Sequence, residues 1–196
     1  MKIKYPQGAT PLDLDELAML IPNIGTQTQL DEFEAQNVAK AETWAQNNSR
    51  LCRELLSAGG LLRLHKRMFG DTWKWAGRFR NSDKNIGIAW TGIAQAVGIL
   101  CGDANYWIAN QTYHWPELAV RFHHRLVKIH PFVNGNGRHA RLAASLLLEC
   151  NGKPRLPWGG ESLIEESAKR AEYIAALKDA DNGRLERLIR FGESGA

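Results

Sequence analysis

A chain of 196 residues has room for one domain with a full hydrophobic core, or one domain and a short extension. A hydrophobic share of 44% and a charged share of 23% exclude a disordered or fibrous class. The net charge of +4 suits a nucleotide or an acidic protein target, without the basic stripe of a nucleic-acid binder, so no direct nucleic-acid contact is expected. No apolar run reaches membrane-span length and no apolar signal segment follows the first residues, which points to a cytoplasmic protein with no membrane partner. Cys52, Cys101 and Cys150 are odd in number and widely spaced, with no Cys-x-x-Cys pair, and read as reduced, buried thiols.

Residues 1–26 read as a lead-in: Pro6, Gly8 and Pro11 keep the start irregular, and a short helix from Asp13 to Leu20 is stopped by Pro22. The main domain, 27–196, opens with a helix over Gln27–Gln46 for which Thr28 and Asp31 offer a capping box. Its apolar stripe is Leu30, Val38, Ala41 and Ala45, and Glu34 sits where that stripe wants another apolar group. Two more helices are expected at Arg50–Ser57 and Leu61–Phe69, parted by Gly59-Gly60, before Trp73 to Arg78 breaks the pattern. Phe79-Arg80 and Ile86 to Trp90 flank the polar turn Asn81 to Asn85, a hairpin signal. Helical spacing resumes over Thr91–Asn110 and again from Pro116 through Ala119, Phe122, Leu126 and Ile129 to His130. The chain closes with a helix ending at Asn151-Gly152 and two more at Glu161–Ala180 and Arg184–Phe191, so the fold class is an all-α bundle with one small β-hairpin.

Chemistry concentrates in His130-Pro131-Phe132-Val133-Asn134-Gly135-Asn136-Gly137-Arg138-His139-Ala140-Arg141. Gly135 and Gly137 allow a turn whose amides converge on an anion, and the helix-forming run that follows would aim its free N–H groups at the same point. Arg138 and Arg141, three apart, share a helix face and can hold one anion from two sides. His130, with the one side chain that titrates near neutrality, stands at the lip of this cradle as a general base. His123, His124 and His139 are read as structural or groove-lining. Adjacent His123 and His124 face different ways, and no Cys or carboxylate completes a metal set.

This stretch resembles the signature of the Fic (Fido) family, His-Pro-Phe-x-(Asp/Glu)-Gly-Asn-Gly-Arg-x-x-Arg, at every fixed position but one. The acidic residue is replaced by Asn134. Flanking segments from about Pro11 to Phe191 also resemble the family, and closely the subgroup known as mobile mystery protein B. The resemblance implies a Fic-fold helical bundle whose hairpin is a flap that docks a target segment by strand addition, with Ile86, Gly87 and Ile88 at its edge. It implies a protein adenylyltransferase: His130 deprotonates a Ser, Thr or Tyr hydroxyl that attacks the α-phosphorus of ATP. Gly135, Asn136 and Gly137 would cradle the phosphates, Arg138 would pair with the β-phosphate, and Arg141 with the γ-phosphate or a regulatory carboxylate.

The family's acid ligates Mg²⁺. Asn134 offers a single neutral oxygen, so Mg²⁺ or Mn²⁺ should bind more weakly, and a nucleotide-binding module with weak or lost transfer stays open beside the enzyme. Phosphate transfer of the Doc type is a further alternative, although those members carry Asn-Lys-Arg where this chain has Gly-Asn-Gly-Arg. Many relatives carry an inhibitory helix with the pattern Ser/Thr-x-x-x-Glu-(Gly/Asn). The strict spacing selects Thr28 and Glu32, whereas periodicity turns Glu34 inward, where Arg141 is the natural partner. A small helix-turn-helix partner protein and a toxin-antitoxin-like setting come with the subgroup.

Overall fold

The computed structural model describes residue 5, residues 8–160, residue 163 and residues 167–195. Among these the chain is a helical bundle with no strand; an isolated antiparallel bridge joins Leu20 to Trp73. Asp13 starts a short α1 (Leu14–Leu17) through a capping box with Glu16. The expected bounds of α2 (Gln27–Gln46) hold, but its capping box is Thr26 and Gln29, because Thr28 already lies inside the first turn. The buried stripe of α2 is Leu30, Glu34, Asn37, Ala41 and Ala45, laid against the next long helix.

After α3 (Ser49–Glu54) comes α4 (Ala58–Phe69), and Gly59-Gly60 lies inside its first turn rather than between helices. Ser57 caps that turn by accepting from the Gly60 amide at 3.0 Å. A Cβ on Gly60 would stand 2.0 Å from the carbonyl oxygen of Glu54, so only glycine lets α4 begin so close to α3.

Residues 79–89 form an irregular loop, not the expected hairpin. Its closure falls to the buried Arg80 side chain, whose Nε donates to the His130 carbonyl at 2.8 Å and whose terminal nitrogens donate to the carbonyls of Ser82 and Ile88. A guanidinium satisfies the carbonyls that a ladder would have paired, so the loop closes without strands. A 3₁₀ turn, Trp90–Gly92, leads into α5 (Ile93–Ala109).

The centre of the bundle is α6 (Trp115–Ile129) against α7 (Asn136–Glu149), with α4 on one side of α7 and α5 beside α6. Helices α8 (Ala168–Asp181) and α9 (Glu186–Glu193) pack on each other and close the end; the expected earlier start of α8 falls largely on residues outside those described. Phe69, Trp73, Phe122, Phe132 and Phe191 fill the core.

Two of the three cysteines are not thiols. Cys52 of α3 and Cys150 at the end of α7 form a disulfide across 98 residues, with Cα atoms 5.4 Å apart. Their spacing gave no sign of it, because the packing of α7 beside α4 brings the two ends together. Cys101 is free and buried, and burial pushes its thiol up to about 11. Closing a loop this long restricts the unfolded chain, and reduction should lower the unfolding free energy by about 2–5 kcal/mol. A guanidinium titration with and without reductant measures this; an unchanged midpoint would remove the bond from the list of stabilising elements.

Candidate active site

His130 ends α6 in the left-handed region, with φ 54° and ψ 60°. Pro131 forces the stop, since proline disfavours the helical region for the residue before it. A left-handed non-glycine residue costs about 1–2 kcal/mol, so the turn needs support. Arg80 supplies it twice, through its Nε to His130 O and its main-chain N–H to Pro131 O at 2.9 Å. Gly87 presses on the same turn: a Cβ there would lie 2.6 Å from the His130 Cβ.

Phe132 is buried and stacks on His65 with ring centroids 3.7 Å apart. The Asn136 side chain closes the loop beneath, accepting from the Phe132 N–H at 2.9 Å and donating to the Phe132 carbonyl at 2.8 Å. Gly135, with φ 77°, begins α7; a Cβ there would strike the Phe69 ring at 2.6 Å. The Gly135 amide is taken by Asn134 Oδ1 at 2.6 Å. The amides left without a carbonyl of their own helix are those of Asn136, Gly137 and Arg138 in the first turn of α7, donors of the kind that can hold an anion.

Burial sets the protonation of His130. His130 Nδ1 lies 3.2 Å from the Val127 carbonyl, which can only accept, so Nδ1 carries the proton. Desolvation outweighs that bond and, with the Arg80 charge, pushes the imidazole down to about 4. At neutral pH, Nε2 therefore presents a lone pair. It accepts from the Thr10 hydroxyl at 2.7 Å.

Glu34 points inward as periodicity required, while Glu32 is exposed. Its partner is Arg138, not the expected Arg141: Arg138 donates to Glu34 Oε2 at 2.6 Å, and the Trp73 indole N–H donates to Oε1 at 2.5 Å. Arg138 lies over the Phe69 ring one turn nearer α2, whereas Arg141 turns to the face of Tyr173, its carbon 5.3 Å from the ring centre. The Tyr173 hydroxyl is bonded to His123 Nε2 at 2.9 Å.

Among residues the sequence did not single out, His65 matters most to the loop. Its Nε2 donates to the Asn134 carbonyl at 3.1 Å while Nδ1 accepts from the Gly77 amide. His123 and His139 are fully buried and structural, and His124 lines the cavity beside Asp181.

Position 134 does not fit a protein-held metal ion. Its one neutral oxygen accepts from Gly135, its amide nitrogen donates to the Thr10 carbonyl at 3.1 Å, and no group of three His, Cys, Asp or Glu stands together among the described residues.

These groups open on one cavity of about 1100 Å³ that also touches Ile86, Gly87, Ile88, Leu163 and Leu177, large enough for a nucleotide. No helix among the described residues is long and apolar enough to cross a membrane. The chain is thus an all-α bundle with a histidine at a forced helix end, a glycine turn, and two arginines at the start of the next helix. Residues 55–148 match the Fic/DOC family, and the chain belongs to it. It is 30% identical over 149 residues to "Protein adenylyltransferase Fic" of Drosophila mojavensis, covering 74% of this chain and 28% of that one. The chain thus spans little more than a quarter of the length of such curated relatives. Its structure resembles Fic-1 of Caenorhabditis elegans (TM-score 0.64, 26% identity, 92% of this chain and 52% of that one). It also resembles the Bartonella tribocorum BepC protein with bound AMPPNP (TM-score 0.67, 18% identity, 92% and 97%).

Replacing Asn136 by Ala leaves the Phe132 N–H and carbonyl without partners and should cost roughly 2–4 kcal/mol, read by chemical denaturation. The buried histidines also make stability depend on pH. In the unfolded chain they take up protons near 6.5, but folded His130 and His139 do so only near about 4. Between those values the unfolded state binds more protons, so stability falls as pH falls, by up to about 3 kcal/mol for each histidine. Denaturation midpoints compared at neutral pH and near the bottom of that window test this, and equal midpoints would refute it.

Proposed function

We propose that this protein transfers AMP from ATP to a Ser, Thr or Tyr hydroxyl of a protein. The observation that carries this reading is the neutral His130, whose Nε2 lone pair meets a hydroxyl at 2.7 Å beside a helix start rich in phosphate donors. The adenylyltransferase relative and the AMPPNP-bound structural neighbour support it. His130 takes the hydroxyl proton as the oxygen attacks the α-phosphorus, and pyrophosphate departs. The amides of Asn136, Gly137 and Arg138, with the Arg138 and Arg141 guanidiniums, offset the charge on the phosphates. No step is assigned to a metal ion.

Glu34 acts as a brake in this reading, since its carboxylate and the nucleotide phosphates compete for Arg138. Ile86 and Gly87 remain the docking edge for a target; Ile88 contributes less, because its amide and carbonyl are engaged by Ile129 and Arg80. The committed hydrogen bonds of Asn134 favour a second reading, a nucleotide-binding module with weak transfer. A cytoplasmic setting is at odds with the Cys52–Cys150 disulfide, which persists in oxidising compartments. The proposal of a helix-turn-helix partner rests on the subgroup resemblance alone.

The test is transfer of label from α-labelled ATP to protein in cell lysate, with Mg²⁺ and then Mn²⁺. His130→Ala should lower transfer by roughly 10²–10⁴-fold. Glu34→Gly should tighten ATP binding by about tenfold or more and raise transfer. Asn134→Asp supplies an ionised oxygen, and a rise in lysate labelling would locate the weakness at the metal. ATP binding with no label in any variant would select the binding module.

A further inference from the structure

The hydroxyl that meets His130 belongs to the chain itself. The N-terminal arm around Thr10 runs along one side of the cavity, between the 79–89 loop and the start of α7. Three contacts hold it there. Asn85 of the loop donates to the Ala9 carbonyl at 3.2 Å, Asn134 donates to the Thr10 carbonyl at 3.1 Å, and Lys84 pairs with Glu16 of α1 at 2.5 Å, both side chains nearly buried. The arm is thus pinned through the main-chain carbonyls on both sides of the Thr10 side chain.

Asn134 has a particular place in this arrangement. Its amide nitrogen holds the Thr10 backbone while its oxygen holds the Gly135 amide, so one side chain sets the distance between the Thr10 hydroxyl and the phosphate cradle. An ionised acid at 134 would have no N–H to give and would repel the Thr10 carbonyl. The residue that is poor for a metal is the one that suits an acceptor from the same chain.

We propose that Thr10 is a self-modification site, the hydroxyl to which the chain transfers AMP in cis. This rests on the adenylyl-transfer reading above. Thr10 Oγ1 gives its proton to His130 Nε2 and bonds to the α-phosphorus of ATP. The bond from that phosphorus to the oxygen bridging to the β-phosphate breaks, and pyrophosphate carries away the electron pair. The product is a Thr10 phosphodiester of AMP, with no oxidant, reductant or third reactant.

The experiment is incubation of the full chain, wild type and Glu34→Gly, with α-labelled ATP and Mg²⁺ or Mn²⁺, with and without lysate. Intact mass and peptide mapping then locate the adenylyl group. One group per chain is expected on the peptide containing Thr10, more in Glu34→Gly than in wild type. It should be lost in His130→Ala and Thr10→Val and kept in Thr10→Ser. The fraction modified per unit time should not change with protein concentration, which a reaction between chains would not reproduce. Asn134→Asp should shift label from Thr10 towards lysate proteins. Label on lysate proteins or on another residue, with Thr10 unmodified in wild type and Glu34→Gly, would overturn the self-modification site and leave the transferase reading standing. No label on any protein from any variant would overturn both.

Discussion

The site depends on one buried guanidinium. The Arg80 side chain reaches three carbonyls on two stretches of backbone, at Ser82 and Ile88 of its own loop and at His130, and its own amide takes a fourth at Pro131. Burial lowers its affinity for the proton, yet carbonyl dipoles hold the charge, with Asp83 the nearest carboxylate at 3.7 Å. The loop is thereby fastened to the end of α6, and the disfavoured turn at His130 is kept. Remove that clamp and the histidine loses both its backbone geometry and the apolar surroundings that keep it neutral. Position and protonation of His130 therefore have a single structural origin.

Around this fixed point the remaining groups are held by polar contacts between distant parts of the chain. Glu34 is bonded at both oxygens, to Trp73 and to Arg138, so α2 is tied to the segment after α4 and to α7 through one carboxylate. A carboxylate with both oxygens committed in a nearly buried place is hard to displace without a comparable anion. Nucleotide phosphates are such an anion. Arg141 and Tyr173 stand apart from this exchange, on the α8 side of the cavity, where His123 fixes the tyrosine hydroxyl.

Much of this was legible in the sequence. The bounds of α2, the inward turn of Glu34 between Leu30 and Val38, and the passage from His130 into the glycine turn all follow from local rules: helical period, a helix ending just ahead of a proline, glycine at left-handed positions. What escaped notice is what local rules do not carry. Thr10 meets His130 across 120 positions, His65 meets the Asn134 carbonyl across 69, and Cys52 meets Cys150 across 98. None leaves a period or a spacing behind. The 79–89 segment misled for another reason: its apolar flanks and polar turn match a hairpin, but an arginine in the first flank satisfied the carbonyls before strands could. Glu34 found Arg138 rather than Arg141 because the choice between two arginines on one helix face depends on the azimuth of that helix against α2, which periodicity leaves open.

The covalent link between Cys52 and Cys150 divides the chain into a ring and two tails. Inside the ring are α4, the Arg80 loop, α5, α6, His130 and the whole of α7. Outside it are Thr10, Glu34, α8 and α9. Tension applied at the chain ends would pass through the sulfur bridge and bypass the ring, so it would peel away the arm and α2 while leaving His130 and the glycine turn assembled. The parts that occupy the cavity are mechanically detachable, and the parts that would do the chemistry are not.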